Sequence, residues 1–556
     1  MIPGLPDTFS VVPAQAGTQR RSSQRHWVPA CAGTTSALTA PDLVGRARDG
    51  QVASAAKARS THCRSVSRTR RVLLFGIAAW VAAAAVVASA QPFDTPPPVG
   101  APRPPVLAVP EVRTLANGLR VVVAPRRDVP LVTAELVVRS GAEADPAALS
   151  GLADLTATLL AKGTATRTAP QIAQAAEALG GQLETGAGWD RAFVTITVTR
   201  PQLAPALALV ADVTMRPRFA PAELERARRQ AIDGLNVALA QPGTLARVAA
   251  NRAAFGAGTY GRSASGTPAS LARMKRADVI ALHAARYRPD HATLVLAGDI
   301  AMADALELAQ AAFGGWKRPR NALAPARVTS PDPALRGPVA IAMTGTGQAG
   351  VALAAPAIAR AAPDYYAGVV ANTLLGNGYS SRLNQEVRIR RGLSYGVVSR
   401  LDARRAGGVF SVGVQTKNAS APEVVAVTLA EIARVADAPA PADELEARKL
   451  AVIGGVSRSF ETTQSLAGMI AALEANAVDV AELTRTIPRL AAVTAEEVQA
   501  FARAHWTAGG FRIVVAGDAA QFVDALRAAH PDVVVIPQAD VDLERPALVK
   551  VRAGGH

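Results

Sequence analysis

The stretch HATLVLAGD at 291–299 returns later in the chain as GFRIVVAGD at 510–518. Each copy is a short apolar run that ends in Ala-Gly-Asp, a pattern typical of a buried β-strand followed by a turn. The helical pattern before each strand also aligns, with Val279 on Val498 and Leu282 on Phe501. The repeat therefore predicts two equivalent units in one chain of 556 residues.

Two further pairs of segments follow the same order in both halves. PAELERAR at 221–228 recurs as ADELEARK at 442–449, and LLAKGTATR at 159–167 recurs as LLGNGYSSR at 374–382. Ordered matches of this kind predict a duplicated domain of about 220 residues. The segment Trp316–Pro338 contains five prolines and is predicted to link the two copies.

Each half has the pattern of an α+β domain. In the first half, Asn117-Gly118 is a hairpin signal between apolar strands, and AFVTITVT at 192–199 alternates as a strand does. Helical patterns at 202–213, 221–239 and 243–254 lie between the strands. This arrangement predicts a mostly antiparallel sheet covered by helices in each half.

Composition excludes several classes of protein. The two cysteines, Cys31 and Cys63, precede the predicted signal cleavage site, so the mature chain has neither a disulfide framework nor a cysteine nucleophile. The seven histidines form no zinc-binding pair at helical spacing. The formal charge is +16, but 1–90 holds 11 Lys/Arg against 3 Asp/Glu, half of the excess. The remaining basic charge is spread thinly, so no nucleic-acid partner is expected.

The N-terminal region has the pattern of a targeting segment. Residues 72–90 form an apolar run after several arginines, and the run ends in Ala88-Ser89-Ala90. This pattern predicts a signal peptide at 66–90, cleavage after Ala90, and a periplasmic or secreted protein. A retained membrane anchor is the alternative, because 19 residues could just span a bilayer. The near-repeats VPAQAGT and VPACAGT within 1–65 indicate a non-native or disordered extension.

Taken together, these segments resemble the M16 zinc metallopeptidases (insulinase, pitrilysin and mitochondrial processing peptidase), in particular bacterial members of two-domain size. The resemblance covers roughly residues 108–540. It rests on the following segments: TLANGLRVVV at 114–123, SGLADLTATLLAKGT at 150–164, TYGRSASGT at 259–267, the two AGD strands, and LLGNGYSSRLNQEVRIRRGLSYGV at 374–397. It implies two homologous domains of the M16 type.

The residues that bind zinc in active relatives are missing here. In those relatives the first-half helix reads GLAHFLEHMLFKGT, where two His bind zinc and the Glu activates water. At the matching positions this chain has Asp154, Ala157 and Thr158, and the family's third ligand, a Glu, falls at Gly234. Neighbouring Asp233 adds at most one carboxylate. The resemblance therefore implies no metal site and no cofactor in this chain.

The second half retains another pair of family residues. In the family, an Arg and a Tyr seven residues later bind the substrate near its scissile carbonyl, and LNQEVRIRRGLSYG places Arg388 and Tyr395 at that spacing. Arg supplies charged donors and Tyr a hydroxyl donor for a developing oxyanion. Without the resemblance, a solvated helix face for Arg388 and an amphipathic strand for Tyr395 would be the better explanation of both residues.

A competing motif lies in the same segment. Gly392-Leu-Ser394-Tyr-Gly396 matches the G-x-S-x-G nucleophile elbow, which would make Ser394 a nucleophile. The elbow requires a strand before the motif and a helix after it. Here an Arg-rich helix at 381–391 precedes the motif and an extended run follows it, so a serine hydrolase is not expected.

The sequence thus favours a non-catalytic subunit of a periplasmic, heterodimeric M16 peptidase. Its partner would be a homologue that carries HxxEH and zinc, and Arg388 and Tyr395 would act in trans on peptide substrates. The alternative is a non-enzymatic peptide-binding or assembly scaffold. The predicted organisation is as follows: extension 1–65, signal 66–90, Pro-rich spacer 91–107, N-terminal domain 108–315, linker 316–338, C-terminal domain 339–540 and tail 541–556.

Overall fold

Two six-stranded sheets, one in each half, form the framework of the chain. The computed structural model describes residues 107–507 and 509–551. The strands are β1 Glu111–Thr114, β2 Arg120–Pro125, β3 Leu131–Val138, β4 Glu184–Ala187, β5 Ala192–Thr199, β6 Ala292–Gly298, β7 Val339–Ala342, β8 Ala349–Ala357, β9 Val397–Arg404, β10 Gly407–Thr416, β11 Arg512–Gly517 and β12 Val534–Pro537.

The two sheets have the same strand order at five of their six positions. The first runs β1-β2-β6-β3-β5-β4 and the second β12-β7-β11-β8-β10-β9. The repeated AGD strands β6 and β11 each pair in parallel with the first strand of their repeat and antiparallel with the second. Only the outermost position differs, since β1 is antiparallel to β2 whereas β12 is parallel to β7. The predicted α+β fold of two homologous domains is confirmed.

Fifteen α-helices are present in the described part of the chain. They are α1 Leu152–Leu160, α2 Ala169–Ala178, α3 Leu203–Met215, α4 Pro221–Leu239, α5 Pro242–Phe255, α6 Pro268–Arg273, α7 Arg276–Arg286, α8 Met302–Phe313, α9 Tyr365–Leu375, α10 Ala421–Asp437, α11 Ala442–Arg458, α12 Thr463–Ala475, α13 Glu482–Ala492, α14 Ala495–His505 and α15 Val523–Ala529. The predicted strand at 192–199 and helix at 221–239 have the predicted bounds. The helix predicted at 381–391 differs, because its residues Asn384–Arg390 form a π-helix.

Each sheet is covered on one face by helices of its own half and on the other by a helix of the other half. Side chains alternate along a strand, so Val121 and Val123 lie in the core of the first half while Val122 and Ala124 face the opposite side. Helix α12 of the second half packs on that opposite side, against β3 and β6. Helix α5 of the first half packs in the same way on β8 and β11 of the second sheet.

The two crossing contacts occupy equivalent places in the repeat. Thr133 on β3 is paired with Ala297 on β6, and Gly350 on β8 is paired with Ala516 on β11. Ala297 and Ala516 are the alanines of the two AGD segments. The Thr133 hydroxyl lies 2.9 Å from that of Thr463 at the start of α12. At Gly350 the backbone of α5 is so close that a Cβ would lie 2.4 Å from a backbone nitrogen. Only glycine allows this second approach, since a side chain would collide with backbone.

The β9–β10 turn provides a further contact between the halves. The backbone N–H and side chain of Arg405 donate to the Oδ2 and backbone oxygen of Asp190, at 3.1 and 2.7 Å. The Tyr260 hydroxyl donates to Asp190 Oδ1 at 2.8 Å. Buried polar groups need hydrogen-bond partners. Asp190 finds its partners in both halves, so these contacts help to orient one half against the other.

Both segments that flank the second domain run along the first. Residues 316–338, the predicted linker, form no helix or extended strand, and Asp332 donates its backbone N–H to the backbone oxygen of Phe255 at 2.9 Å. In the tail, Glu544 accepts hydrogen bonds from Thr267 and Arg273, both at 2.7 Å, and Leu548 is wholly buried. The chain after the second domain thus packs on the first.

Several predicted segments lie outside the described residues: the extension 1–65, the signal peptide 66–90, and the spacer up to residue 106. Within the described residues, no helix is both long and apolar enough to cross a bilayer.

Glu474 on α12 provides a test of the crossing contact. It is buried and accepts from Arg120 Nε and Nη2 at 3.1 and 2.9 Å and from the Thr293 hydroxyl at 2.9 Å. We expect Glu474→Ala to lower the free energy of unfolding by about 2 kcal/mol, because Arg120 and Thr293 lose their acceptor. Urea denaturation of the mature chain measures this. Asp524→Ala, which changes a carboxylate with 92% exposure, is the control, and equal effects of the two changes would contradict the assigned role.

Candidate active site

Helix α1 contains the segment that resembles the family's zinc-binding helix, and its start is held by hydrogen bonds to a side chain. Gly151 precedes it with φ +90°, and the Asp145 carboxylate accepts from the N–H groups of Gly151 and Ala153 at 2.8 and 2.9 Å. The Asp145 side chain satisfies free donors at the helix start, and burial raises its pKa to about 8. The leucines of α1 are buried in the first-half core, as the sequence indicates.

The residues at the ligand positions do not fit a zinc ion. Ala157 is fully buried, Thr158 is half-buried, and neither offers an imidazole or carboxylate. Gly234 lies exposed on α4 with open space where a side chain would be, and Asp233 beside it is exposed. Within the described residues, no group of three or more His, Cys, Asp or Glu side chains could hold a metal. The donor set is therefore incomplete at this site.

Asp154 has a different set of neighbours. Its carboxylate accepts from the Ser265 hydroxyl and from the backbone N–H of Ala187, the last residue of β4. Strand β4 is the outer strand of the first sheet, so Asp154 occupies a donor on its free edge. Burial raises the pKa of Asp154 to about 6, although these two hydrogen bonds oppose the rise.

The second candidate segment begins with the π-helix. Asn384, its first residue, donates to the backbone oxygens of Gly378 at 3.0 Å and Val397 at 2.8 Å, and accepts from the Val397 N–H at 3.1 Å. The helix ends before Gly392, whose φ is +61°. Short π-helices often occur at functional sites because they rotate side chains away from the regular α-helical spacing.

This segment brings Arg388 and Tyr395 together. The Arg388 Cζ lies 4.5 Å from the centroid of the Tyr395 ring and 4.7 Å from that of Tyr379, within cation–π range. Both rings face solvent, with 87% exposure for Tyr395 and 62% for Tyr379. Sequence reasoning missed Tyr379. The only available signal was an aromatic residue directly after a Gly-Asn-Gly turn.

The neighbouring arginines have carboxylate partners, but Arg388 has none among the described residues. Arg382 pairs with Glu444 at 2.8 Å, Arg390 pairs with Glu386, and Arg391 contacts Glu386 and Glu423. Arg388 makes no hydrogen bond or ion pair, and no such contact links it or Tyr395 to Asp154, within the part of the chain that the structure describes.

The Ser394 side chain forms hydrogen bonds with the backbone. Its hydroxyl lies 2.7 Å from the Gln415 backbone oxygen and 2.9 Å from that of Gly396, and it accepts from the Gly396 N–H. Strand β9 follows the G-x-S-x-G motif and a π-helix precedes it, the reverse of a nucleophile elbow. Ser394 therefore ties the segment to β10.

Two family models match the chain. Residues 120–268 match the model described as insulinase (peptidase family M16), and residues 273–452 match the model described as the peptidase M16 inactive domain. The two matches are separated only by residues 269–272, within α6, and the second extends through the second half as far as residue 452.

Proteins with similar sequences are named zinc proteases. An "Uncharacterized zinc protease" of Mycobacterium leprae is 30% identical over 393 residues, 70% of this chain and 87% of that protein. A protein of the same name in Mycobacterium tuberculosis is 30% identical over 410 residues, 73% of this chain and 93% of that protein. The chain therefore belongs to the M16 peptidase family.

Solved structures agree in fold. A peptidase M16 inactive domain from Pseudomonas fluorescens has a TM-score of 0.68 and 26% identity, covering 73% of this chain and 98% of that one. A Helicobacter pylori protease also has a TM-score of 0.68, with 19% identity, 74% of this chain and 100% of that one. The matches and the incomplete donor set are consistent with a non-catalytic M16-like protein.

Asp154 should make stability depend on pH. Its pKa in the folded state, about 6, is above the value of about 3.9 expected in the unfolded chain. The folded state thus binds the proton more tightly, so this contribution is present below pH 4 and is lost as the pH rises through 6. We expect Asp154→Asn to remove about 2 kcal/mol of this pH dependence. Urea denaturation at pH 4 and pH 7 measures it, with exposed Asp233→Asn as control; an unchanged pH profile would contradict the burial argument.

The ligand positions also predict metal content. We expect the purified mature chain to hold no stoichiometric zinc after dialysis. Asp154→His, Ala157→Glu and Thr158→His together should still not give a stable site, because Gly234 leaves one ligand missing. Elemental analysis of both proteins is the measurement. One zinc per chain in the unchanged protein would show that the donors have been wrongly assigned.

Proposed function

We propose that this protein is the non-catalytic subunit of a periplasmic, two-chain M16 peptidase. An HxxEH-bearing homologue would hold the zinc and perform the hydrolysis. This chain would contribute Arg388 and Tyr395 to the binding of the peptide in the shared cavity. The proposed compartment comes from the signal pattern before Gln91.

One observation carries the proposal: Arg388 is stacked against exposed Tyr395 without a carboxylate partner of its own among the described residues. On a solvated helix face, arginines commonly pair with nearby acids, as Arg382, Arg390 and Arg391 do here. A guanidinium left with free donors beside a solvent-facing hydroxyl is suited to binding an oxygen-rich ligand.

In this proposal the chain contributes only hydrogen-bond donors to the reaction. The Arg388 guanidinium would bind an oxygen acceptor of the peptide through charge-assisted hydrogen bonds. The Tyr395 hydroxyl would donate to the oxygen that gains negative charge during peptide hydrolysis. Water activation is assigned to the partner, because Ala157 stands at the position of the family's general base.

At the start of β9, beside Arg388, the edge of the strand is not available for pairing with a peptide strand. The Asn384 side chain occupies both backbone groups of Val397, and Gly376 accepts from Ser399 at 3.1 Å. A peptide bound near Arg388 would therefore be held through side chains of this chain, and strand pairing would fall to the partner.

Reconstitution with the partner tests the proposal. We expect Tyr395→Phe to reduce kcat on the order of 100-fold, because one donor to the oxyanion is lost. Arg388→Ala should mainly raise KM, since it removes a contact made by the bound substrate. Peptide cleavage at saturating partner is the measurement, with Arg390→Ala as the matched control on the same helix. Cleavage by Tyr395→Phe at the unchanged rate would make the scaffold alternative the better explanation.

A further inference from the structure

One of the four arginines between residues 382 and 391 has no carboxylate partner among the described residues. Arg382, Arg388, Arg390 and Arg391 lie in this region, and Glu386, Glu423 and Glu444 pair with every one of them except Arg388. Four cations and three anions leave one positive charge. Since Glu386 is shared by two other arginines, this excess is located on Arg388.

The two tyrosine rings determine which part of the guanidinium a ligand can reach. Both rings lie over the Arg388 Cζ, at 4.7 and 4.5 Å, and they make no ring contact with each other among the described residues. The ring contacts are made at Cζ, and they leave the N–H donors of the guanidinium, which point along its plane, without a hydrogen-bond partner among the described residues. A planar acceptor with two oxygens matches these donors.

Both rings stand on anchored backbone. On the Tyr379 side, the Gly378 oxygen accepts from Ser381 Oγ at 2.7 Å as well as from Asn384, and Arg448 donates to Ser380 Oγ at 2.6 Å. The neighbours of Tyr395 are tied to β10, because the Thr416 hydroxyl donates to the Leu393 oxygen at 2.6 Å. The stack is therefore largely formed before a ligand binds, which reduces the entropy lost on binding.

We infer that the Tyr379–Arg388–Tyr395 stack is a carboxylate-binding subsite, so that the favoured peptides carry an acidic side chain or a free C-terminal carboxylate at this point. The inference takes one point from the proposed function, namely that the ligand is a peptide. Arg388 binds the carboxylate through two in-plane N–H donors. Tyr379 is a positioning residue, since its ring orients the guanidinium.

Binding to the mature chain alone tests the inference without any partner. The probes are three short peptides of one sequence, acetylated at the N-terminus: one with a central Glu and an amidated C-terminus, its Gln twin, and the Gln twin with a free C-terminus. Saturation-transfer NMR at millimolar peptide measures weak affinities. We expect the Glu peptide or the free-carboxylate peptide to bind roughly fivefold more tightly than the amidated Gln peptide. Whichever of the two shows the gain identifies the source of the carboxylate.

Variants separate this subsite from general attraction to a basic protein. Arg388→Ala should abolish the preference for the carboxylate peptide, and Arg390→Ala should keep it. Tyr379→Ala should reduce the preference, and Tyr379→Phe should restore it because the ring remains. Near-ultraviolet circular dichroism verifies that each variant is folded.

Three outcomes would overturn the inference: equal binding of all three peptides, a carboxylate preference that survives Arg388→Ala, or no binding of any of them. A chain that prefers carboxylate peptides but supports no cleavage with its partner would refute the proposed function and leave the subsite in place.

Discussion

The exchange of helices between the two halves is the constraint on which the rest of the structure depends. Each sheet has two apolar faces, and each half covers only one of them with its own helices. Helices α12 and α5 cover the remaining faces by packing on the opposite sheet. Neither half can bury its apolar surface alone, so the two copies of the repeat must fold as one body.

This shared core explains how one half could lose its zinc ligands without losing its fold. Helix α1 is held by its buried leucines and by the Asp145 cap, and none of these contacts involves a metal. Two of the positions that hold catalytic residues in active relatives now make structural contacts. Ala157 fills the core, whereas Asp154 accepts from the free edge of β4. The helix therefore has a structural role that no longer depends on a catalytic one.

The Arg388 segment has the opposite character. Its backbone is anchored by Asn384, Ser394 and Thr416, but the side chains it presents are exposed or without charged partners among the described residues. Rigid backbone beneath exposed aromatic and cationic groups is an arrangement suited to recognition, because binding then orders few additional groups. The two halves of the repeat thus differ in the side chains they present while keeping one topology.

The sequence by itself determined the duplication, the α+β class, the bounds of β5 and α4, the absence of the family's zinc ligands and general base at 154, 157, 158 and 234, and the spacing of Arg388 and Tyr395. These properties are local, since they depend on side-chain periodicity and residue identity within short segments. Only the tertiary structure decided which helix covers which sheet, because an apolar face does not specify its partner. It also decided the π-helix and the position of Tyr379 against Arg388. Those features arise from contacts between separate segments, where the Asn384 amide joins a loop, a helix and a strand, and no local pattern encodes such a meeting.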